Sequence, residues 1–258
     1  MGVANDHSIA WGIARTLSAN GAQLAYTYQG EQILKRVAPL AESTGSALIL
    51  PCDVSQESDL DAVFAAIEKE WGGLDFIVHA VAYSNKDELK GRYVDTTLDN
   101  FLMTMQISCY SFTSVMRRAA PLMKNGGSAL TLTYYGAEKV TPSYNVMGVA
   151  KAALEASVRY MAADLGTDNI RVNAISAGPM RTLAGAAINS ARQTYKYNQA
   201  TAPLRRPLEL DEIGGSALYL LSGLSSGVTG EIHYVDCGFN VMGMPPHDAM
   251  AEMAKGAA

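Results

Sequence analysis

The chain has 258 residues, 48% hydrophobic and 17% charged, with a formal net charge of −5 at pH 7. That size suits one large α/β domain with a substantial core, and the composition excludes whole-chain disorder. The acidic balance argues against nucleic acid or an anionic membrane surface as a partner, and no apolar run approaches the roughly 18 residues of a membrane span. No basic segment followed by an apolar stretch opens the chain, and Cys52, Cys109 and Cys237 lack disulfide or metal-ligand spacing. A cytoplasmic protein without a metal site is therefore expected.

The chain opens with Gly2-Val-Ala-Asn-Asp-His-Ser8-Ile9, small and polar residues that feed a helix over 8–20. Ser8 suits the N-cap, and the first N–H groups of such a helix can face a pyrophosphate. A dinucleotide-binding βαβ unit has a buried strand before this loop, and none precedes it here. Met1 reads as the last residue of an apolar strand encoded further upstream in the same frame.

Strands are expected at 22–28, 47–51, 76–82, 128–133, 171–175 and 231–235. Helices are expected at 31–44, 57–71, 98–123, 144–165 and 211–221. The strand segments are near-continuously apolar, as strands covered on both faces are, and they alternate with helices without a composition break. The fold class is thus α/β, a Rossmann-like doubly wound parallel sheet with helices on both faces and its first strand absent. Residues 1–258 form a single dinucleotide-binding and catalytic domain, with a tail over 245–258 that loses its pattern and is expected to fray.

The chemistry concentrates in Thr133-Tyr134-Tyr-Gly-Ala-Glu-Lys-Val-Thr-Pro-Ser-Tyr144-Asn-Val-Met147-Gly-Val-Ala-Lys151. Tyr144 and Lys151 lie seven positions apart, two helical turns along one face. A tyrosine hydroxyl is a poor acid at neutral pH but a good hydrogen-bond donor to a developing oxyanion, and an ammonium nearby can hold a sugar hydroxyl. Further signals are Cys52-Asp53-Val54 after one strand, His79-Ala-Val81-Ala-Tyr83-Ser84 after the next, and the run from Arg171 through Gly178-Pro-Met180-Arg-Thr182-Leu-Ala184.

With these motifs the chain resembles the short-chain dehydrogenase/reductase superfamily. Within it, the chain closely resembles the enoyl-acyl-carrier-protein reductases of bacterial type II fatty-acid synthesis, from Gly2 to about Asn240. The general superfamily carries Tyr-x3-Lys and an upstream serine; here Gly148 holds the x3 position, Lys151 stands at x6, and Tyr134-Tyr135-Gly136 replaces the serine. The resemblance implies hydride transfer from NADH to a trans-2-enoyl thioester carried on acyl carrier protein, the last step of the elongation cycle, by a homotetramer. It implies Tyr134, Tyr144 and Lys151 as catalytic. Gly2, Ser8 and Ile9 would line the pyrophosphate loop, Gln29 would stand near the adenosine ribose, and Asp53 and Val54 would flank the adenine. Val81 would pack at the nicotinamide ribose, Met180 and Thr182 would bracket the carboxamide, and Lys151 would clamp the ribose. Ser84, Tyr134, Tyr144, Met147 and Ala184 would form the substrate site, and residues 181–201 would serve as a lid. Gln29 is neither the carboxylate that selects NAD nor the Arg that favours NADP, and with no Arg nearby NADH is expected. Arg192, Lys196, Arg205 and Arg206 are basic residues suited to docking an acidic carrier. Two other readings stay open, a carbonyl- or ketoacyl-type short-chain reductase and a non-catalytic dinucleotide-binding protein on the same fold.

Overall fold

The computed structural model describes residues 1–182 and 191–255. Strands β1 (Ala25–Tyr28) and β2 (Leu48–Pro51) pair in parallel, from Ala25 opposite Leu48 to Tyr28 opposite Pro51. Strands β3 (Phe76–His79), β4 (Gly127–Thr133), β5 (Ile170–Ala177) and β6 (Ile232–Val235) form a second parallel sheet in that spatial order. Seven of the eight residues of β5 are buried, all but Arg171, the burial expected of a strand roofed on both sides.

On one side pack α1 (Ile9–Ala19) and α8 (Leu210–Leu221), whose Ile13, Leu17, Ile213 and Leu220 meet Leu130 and Ile175 of the sheet. On the other lie α3 (Glu57–Trp71), α5 (Ser111–Ala119) and α6 (Asn145–Leu165). There Leu60, Phe64, Phe112, Leu154 and Val158 build the second half of the core. The helix α2 (Glu31–Ser43) seals the outer edge through Val37 and Ala41. The doubly wound arrangement expected from the sequence is present, but its sheet is in two pieces.

Between the pieces, β1 and β3 border a groove of about 840 Å³. Apolar side chains of α1 (Ile13, Ala14, Leu17) and of α3 (Val63, Phe64, Ile67) line it. Met1 sits at its far end: its ammonium donates to the Val78 carbonyl at 2.8 Å, and the Ala80 N–H donates to the Met1 carbonyl at 3.1 Å.

Two element expectations need correction. The helix over 98–123 is interrupted: α4 (Leu98–Met105) runs into a π turn at Gln106–Tyr110, then α5, then a 3-10 turn at Ala120–Leu122 that holds Pro121. At the π turn, Ser108 turns its hydroxyl outward to the Tyr83 backbone, and Ser111 donates to the Ile107 carbonyl at 2.6 Å. The tail expected to fray over 245–258 instead carries α9 (His247–Lys255). Pro245 and Pro246 stand just before it, the Pro246 carbonyl accepts from the Met250 N–H at 3.0 Å, Ala249 is buried, and Asp248 pairs with Arg205 at 3.0 Å. Within the segment 181–201, the residues Ala191–Thr201 form the helix α7.

Candidate active site

In an open parallel sheet the crevice beyond the carboxyl ends of the strands is where ligands bind. Nearly every residue singled out in the sequence stands there: Gln29 after β1, Asp53 and Val54 after β2, Val81 after β3, Tyr134 after β4, Met180 and Thr182 after β5. The opening loop joins them at α1, with Gly2 backed so closely onto the Ala80 carbonyl that a Cβ would collide with it.

Tyr144 is the N-cap residue of α6, not its first helical residue. Its neighbours Ser143 (φ 62°) and Asn145 (φ 40°) both adopt left-handed backbone, costly for a non-glycine residue and concentrated at functional sites. Asn145 tolerates it because its side-chain amide donates to the Glu88 and Gly91 carbonyls at 3.3 and 3.4 Å, tying the start of α6 to the loop after β3. The Tyr144 ring lies edge-on to Tyr134, with centroids 5.2 Å apart and planes at 76°. Leu89, Val146 and Met147 pack around it. Burial, then the adjacent Tyr134 and Glu155, push the Tyr144 hydroxyl far above the ordinary phenol range, so it stays protonated. Burial likewise raises Tyr134.

Two glycines make this packing possible. A Cβ on Gly136 would lie 2.6 Å from Cδ1 of Tyr144, and a Cβ on Gly148 would lie 2.8 Å from the Gly136 carbonyl oxygen. The turn at Tyr135–Ala137 therefore rests directly on the first turns of α6.

Lys151 lies two turns into α6, buried, and one of its three donors goes to the Leu132 carbonyl at 2.8 Å. Burial pulls its ammonium down to about 8, against the opposing pull of Cys109 and Glu155. Glu155, one turn further, accepts from Thr133 Oγ1 at 2.6 Å, and burial raises its carboxyl.

At the end of the crevice beyond β1 and β2, two of the singled-out polar residues are joined. Gln29 Nε2 donates to Asp53 Oδ2 at 2.7 Å, so the two side chains form one unit rather than two separate contacts. Burial pushes the Asp53 carboxyl up, but hydrogen bonds from Ser55 and Gln29 outweigh it and hold it below the usual carboxylate range. Ser8 occupies the N-cap position of α1 but does not cap it. Its hydroxyl accepts from Ala4 N–H at 3.3 Å and donates to the Asn5 carbonyl at 2.6 Å, shaping the loop instead. Ile9 and Met180 pack on the sheet, and Val54 packs against the α3 side of the core.

Ser84 is held inside the loop after β3. It is buried, donates to Asn100 Oδ1 at 3.3 Å and accepts from Thr104 at 2.8 Å, so it braces the loop from within. Sequence reasoning missed this polar lining. Asn100, Thr104, Ser108 and Ser111 recur at helical spacing on one face of α4–α5 and are all buried, a stripe visible in the sequence. Ser108 accepts from Tyr83 N–H and donates to the Tyr83 carbonyl, both at 2.9 Å. His79 bonds Ser111 at 2.8 Å and Thr131 at 3.3 Å, and burial, with Lys151 and the N-terminus, lowers it to about 3. It is a neutral core histidine.

Ala184 lies outside the described residues, as does the middle of the 181–201 segment. Its flanks meet, with the Arg181 guanidinium 4.8 Å from the Tyr195 ring centroid. Of the four basic residues, Arg205 is paired with Asp248 and Arg206 with Glu212, while Arg192 and Lys196 are exposed on α7. Among the described residues no cluster of His, Cys, Asp or Glu is placed to hold a metal, and no helix is long and apolar enough to cross a membrane.

The groups present fit a dinucleotide: a glycine-bearing loop before a helix N-terminus, an amide–carboxylate pair at one end of the crevice, and a buried ammonium at the other. Fold and site together define a Rossmann-type reductase of the short-chain kind. The enoyl-(acyl carrier protein) reductase family model matches residues 2–240, and the chain belongs to that family. The enoyl-[acyl-carrier-protein] reductase [NADH] 2 of Rhizobium meliloti (strain 1021) is 62% identical over 97% of this chain and 93% of its own length. The crystal structure of the Anaplasma phagocytophilum enoyl-(acyl-carrier-protein) reductase in complex with NAD matches with a TM-score of 0.92 at 61% identity. It covers 95% of this chain and 94% of that one. That of FabI from Candidatus Liberibacter asiaticus matches with a TM-score of 0.94 at 56% identity, covering 95% of each.

Proposed function

We propose that this protein reduces trans-2-enoyl thioesters carried on acyl carrier protein to saturated acyl thioesters, the last step of the fatty-acid elongation cycle, with NADH as reductant. The observation that carries this reading is the buried Tyr144–Lys151 pair at x6 spacing with Tyr134 edge-on to the first tyrosine.

Bound NADH supplies the hydride that adds to the β-carbon of the enoyl group. Charge then collects on the thioester oxygen, and Tyr144, held protonated by its surroundings, donates a hydrogen bond to it. Leu89, Met147 and the Tyr134 ring keep water away from that donor, where each hydrogen bond counts for more. Tyr134 shapes the acyl site and helps deliver the proton to the α-carbon. Lys151 would hold the nicotinamide ribose with donors not given to Leu132, and Val81, Met180 and Thr182 would receive the nicotinamide end. Gly2, Ser8 and Ile9 form the pyrophosphate loop, and the Gln29–Asp53 pair with Val54 receives the adenosine.

An acidic carrier finds exposed Arg192 and Lys196 on α7. The chain assembles as a homotetramer, a reading supported by exposed Leu98, Leu102 and Tyr110 on the α4–α5 helix and Tyr160 on α6. It works in the cytoplasm, which suits its three buried free thiols. The deciding experiment compares NADH oxidation with crotonyl and acetoacetyl thioesters. Turnover of the crotonyl thioester alone is expected; preference for the acetoacetyl thioester would establish a carbonyl reductase, and turnover of neither a binding protein.

A further inference from the structure

A carboxylate taken out of water is costly unless an ion-pair partner or several N–H donors compensate it. Glu155 is 6% exposed, yet its hydrogen bond comes from a neutral hydroxyl, Thr133 Oγ1 at 2.6 Å. The cations on its own helix, Lys151 and Arg159, stand one turn to either side, outside ion-pair contact. Its position nevertheless follows a pattern. Tyr144, Lys151 and Glu155 share one face of α6, and the last two reach consecutive residues of β4. Lys151 donates to the Leu132 carbonyl at 2.8 Å, Glu155 accepts from Thr133, and Tyr134 is the next residue along.

Glu155 faces Glu138 of the turn after β4, Tyr234 of β6, and Tyr144, Lys151 and Arg159 of α6 itself. Lys151 also faces Cys109 of the π turn and His79 of β3. Burial keeps the His79 ring neutral, and burial raises the Cys109 thiol so that it stays protonated at neutral pH. Of the groups facing Lys151, Glu155 is therefore the one that bears a negative charge near pH 7. A cofactor lying over the ammonium removes more of its water, so a fixed anion one turn away matters most in the loaded site. We propose that Glu155 is a positioning residue for the reaction, a buried carboxylate that acts through Lys151 by keeping it charged for the nicotinamide ribose. The role at the ribose rests on the function proposed above; the charge coupling does not.

Lys151 is titrated directly, by NMR of the whole chain carrying 13C-labelled lysine, its signal assigned by its loss in Lys151→Arg. The parent midpoint is expected at about 8. Glu155→Gln keeps the shape and an acceptor for Thr133 but removes the charge. Across the roughly 6 Å between helical neighbours, that loss should lower the midpoint by about 1–2 pH units. Glu155→Asp keeps the charge and should hold the midpoint within about half a unit of the parent. NADH titration should follow: the Gln variant matches the parent within about threefold at pH 6 and is weaker by about tenfold at pH 7.5. An unmoved midpoint overturns the proposal, and an NADH Kd weakened equally at every pH then marks a merely structural residue. A midpoint that moves while NADH affinity does not would remove Lys151 from the ribose and leave the charge coupling standing. If the Gln variant does not fold, the 13C-carboxyl signal of Glu155 in the parent decides. It should be ionised at pH 7, and a carboxyl still protonated there overturns the proposal.

Discussion

Replacing Gly136 with alanine tests whether the position of the Tyr144 ring governs turnover. The added Cβ would stand 2.6 Å from Cδ1 and 2.9 Å from Cε1 of Tyr144, and 3.1 Å from Cδ1 of Tyr134. Carbon atoms rest about 3.5–4.0 Å apart, so the Tyr144 ring must retreat by about 1 Å. Leu89, Val146 and Met147 already pack around it, so the retreat carries the hydroxyl off its aim. A misplacement of that size costs on the order of 10²-fold in rate, and the crowding adds about 1–3 kcal/mol of destabilisation. Steady-state NADH oxidation should show kcat falling about 10²-fold, with the NADH Kd unchanged because Lys151 lies two turns away. Gly215→Ala, in α8 with open space where its Cβ would go, is the control; it should match the parent rate with an equal or higher Tm. A folded Gly136→Ala protein with kcat within about threefold of the parent would refute the argument.

Tyr144→Phe removes the donor and keeps the ring, so kcat should drop about 10²–10³-fold with little change in thermal unfolding. For Lys151, whose folded value near 8 lies below the ordinary 10.5, the ammonium is lost as pH rises through 8. NADH affinity should therefore be flat below about pH 7 and weaken by roughly 10–100-fold above it, measured by titration across pH 6.5–9.5, and Lys151→Arg should flatten the profile. Ser108→Ala leaves the Tyr83 N–H and carbonyl without their hydroxyl partner. It should cost about 1–3 kcal/mol in denaturant unfolding and speed exchange of the Tyr83 amide, whereas an unchanged midpoint would show that the clamp contributes nothing.

Strands were legible because β4 and β5 are short runs of small, apolar and β-branched residues bounded by turn signals, and Tyr144 and Lys151 because their spacing departs from the commoner pattern. What stayed hidden depends on partners distant in sequence. Ser108, 25 residues from Tyr83, reads as an ordinary helical serine until the loop is folded against it. The same holds for Ser84, whose hydroxyl looks free in sequence and is taken by Asn100 and Thr104. The π turn leaves no composition signal, since it adds a residue per turn without changing residue types. The helix α9 was obscured by Pro245 and Pro246, which mark a loop in isolation yet open a helix once Asp248 finds Arg205. Arg205 and Arg206 looked like free docking charges for the same reason.

The contact between Gly148 and the Gly136 carbonyl bears on how such enzymes diversify. Moving the lysine from position 151 to 148, the spacing of the broader superfamily, would drive its stem into a carbonyl oxygen that a bare Cβ would already approach to 2.8 Å. The turn at Tyr135–Ala137 would have to withdraw first, and withdrawing it releases the ring of Tyr144. Each single substitution along that route therefore passes through a protein lacking either the lysine or the aimed tyrosine. The two spacings are separated by a gap that only concerted change in the turn and the helix can cross.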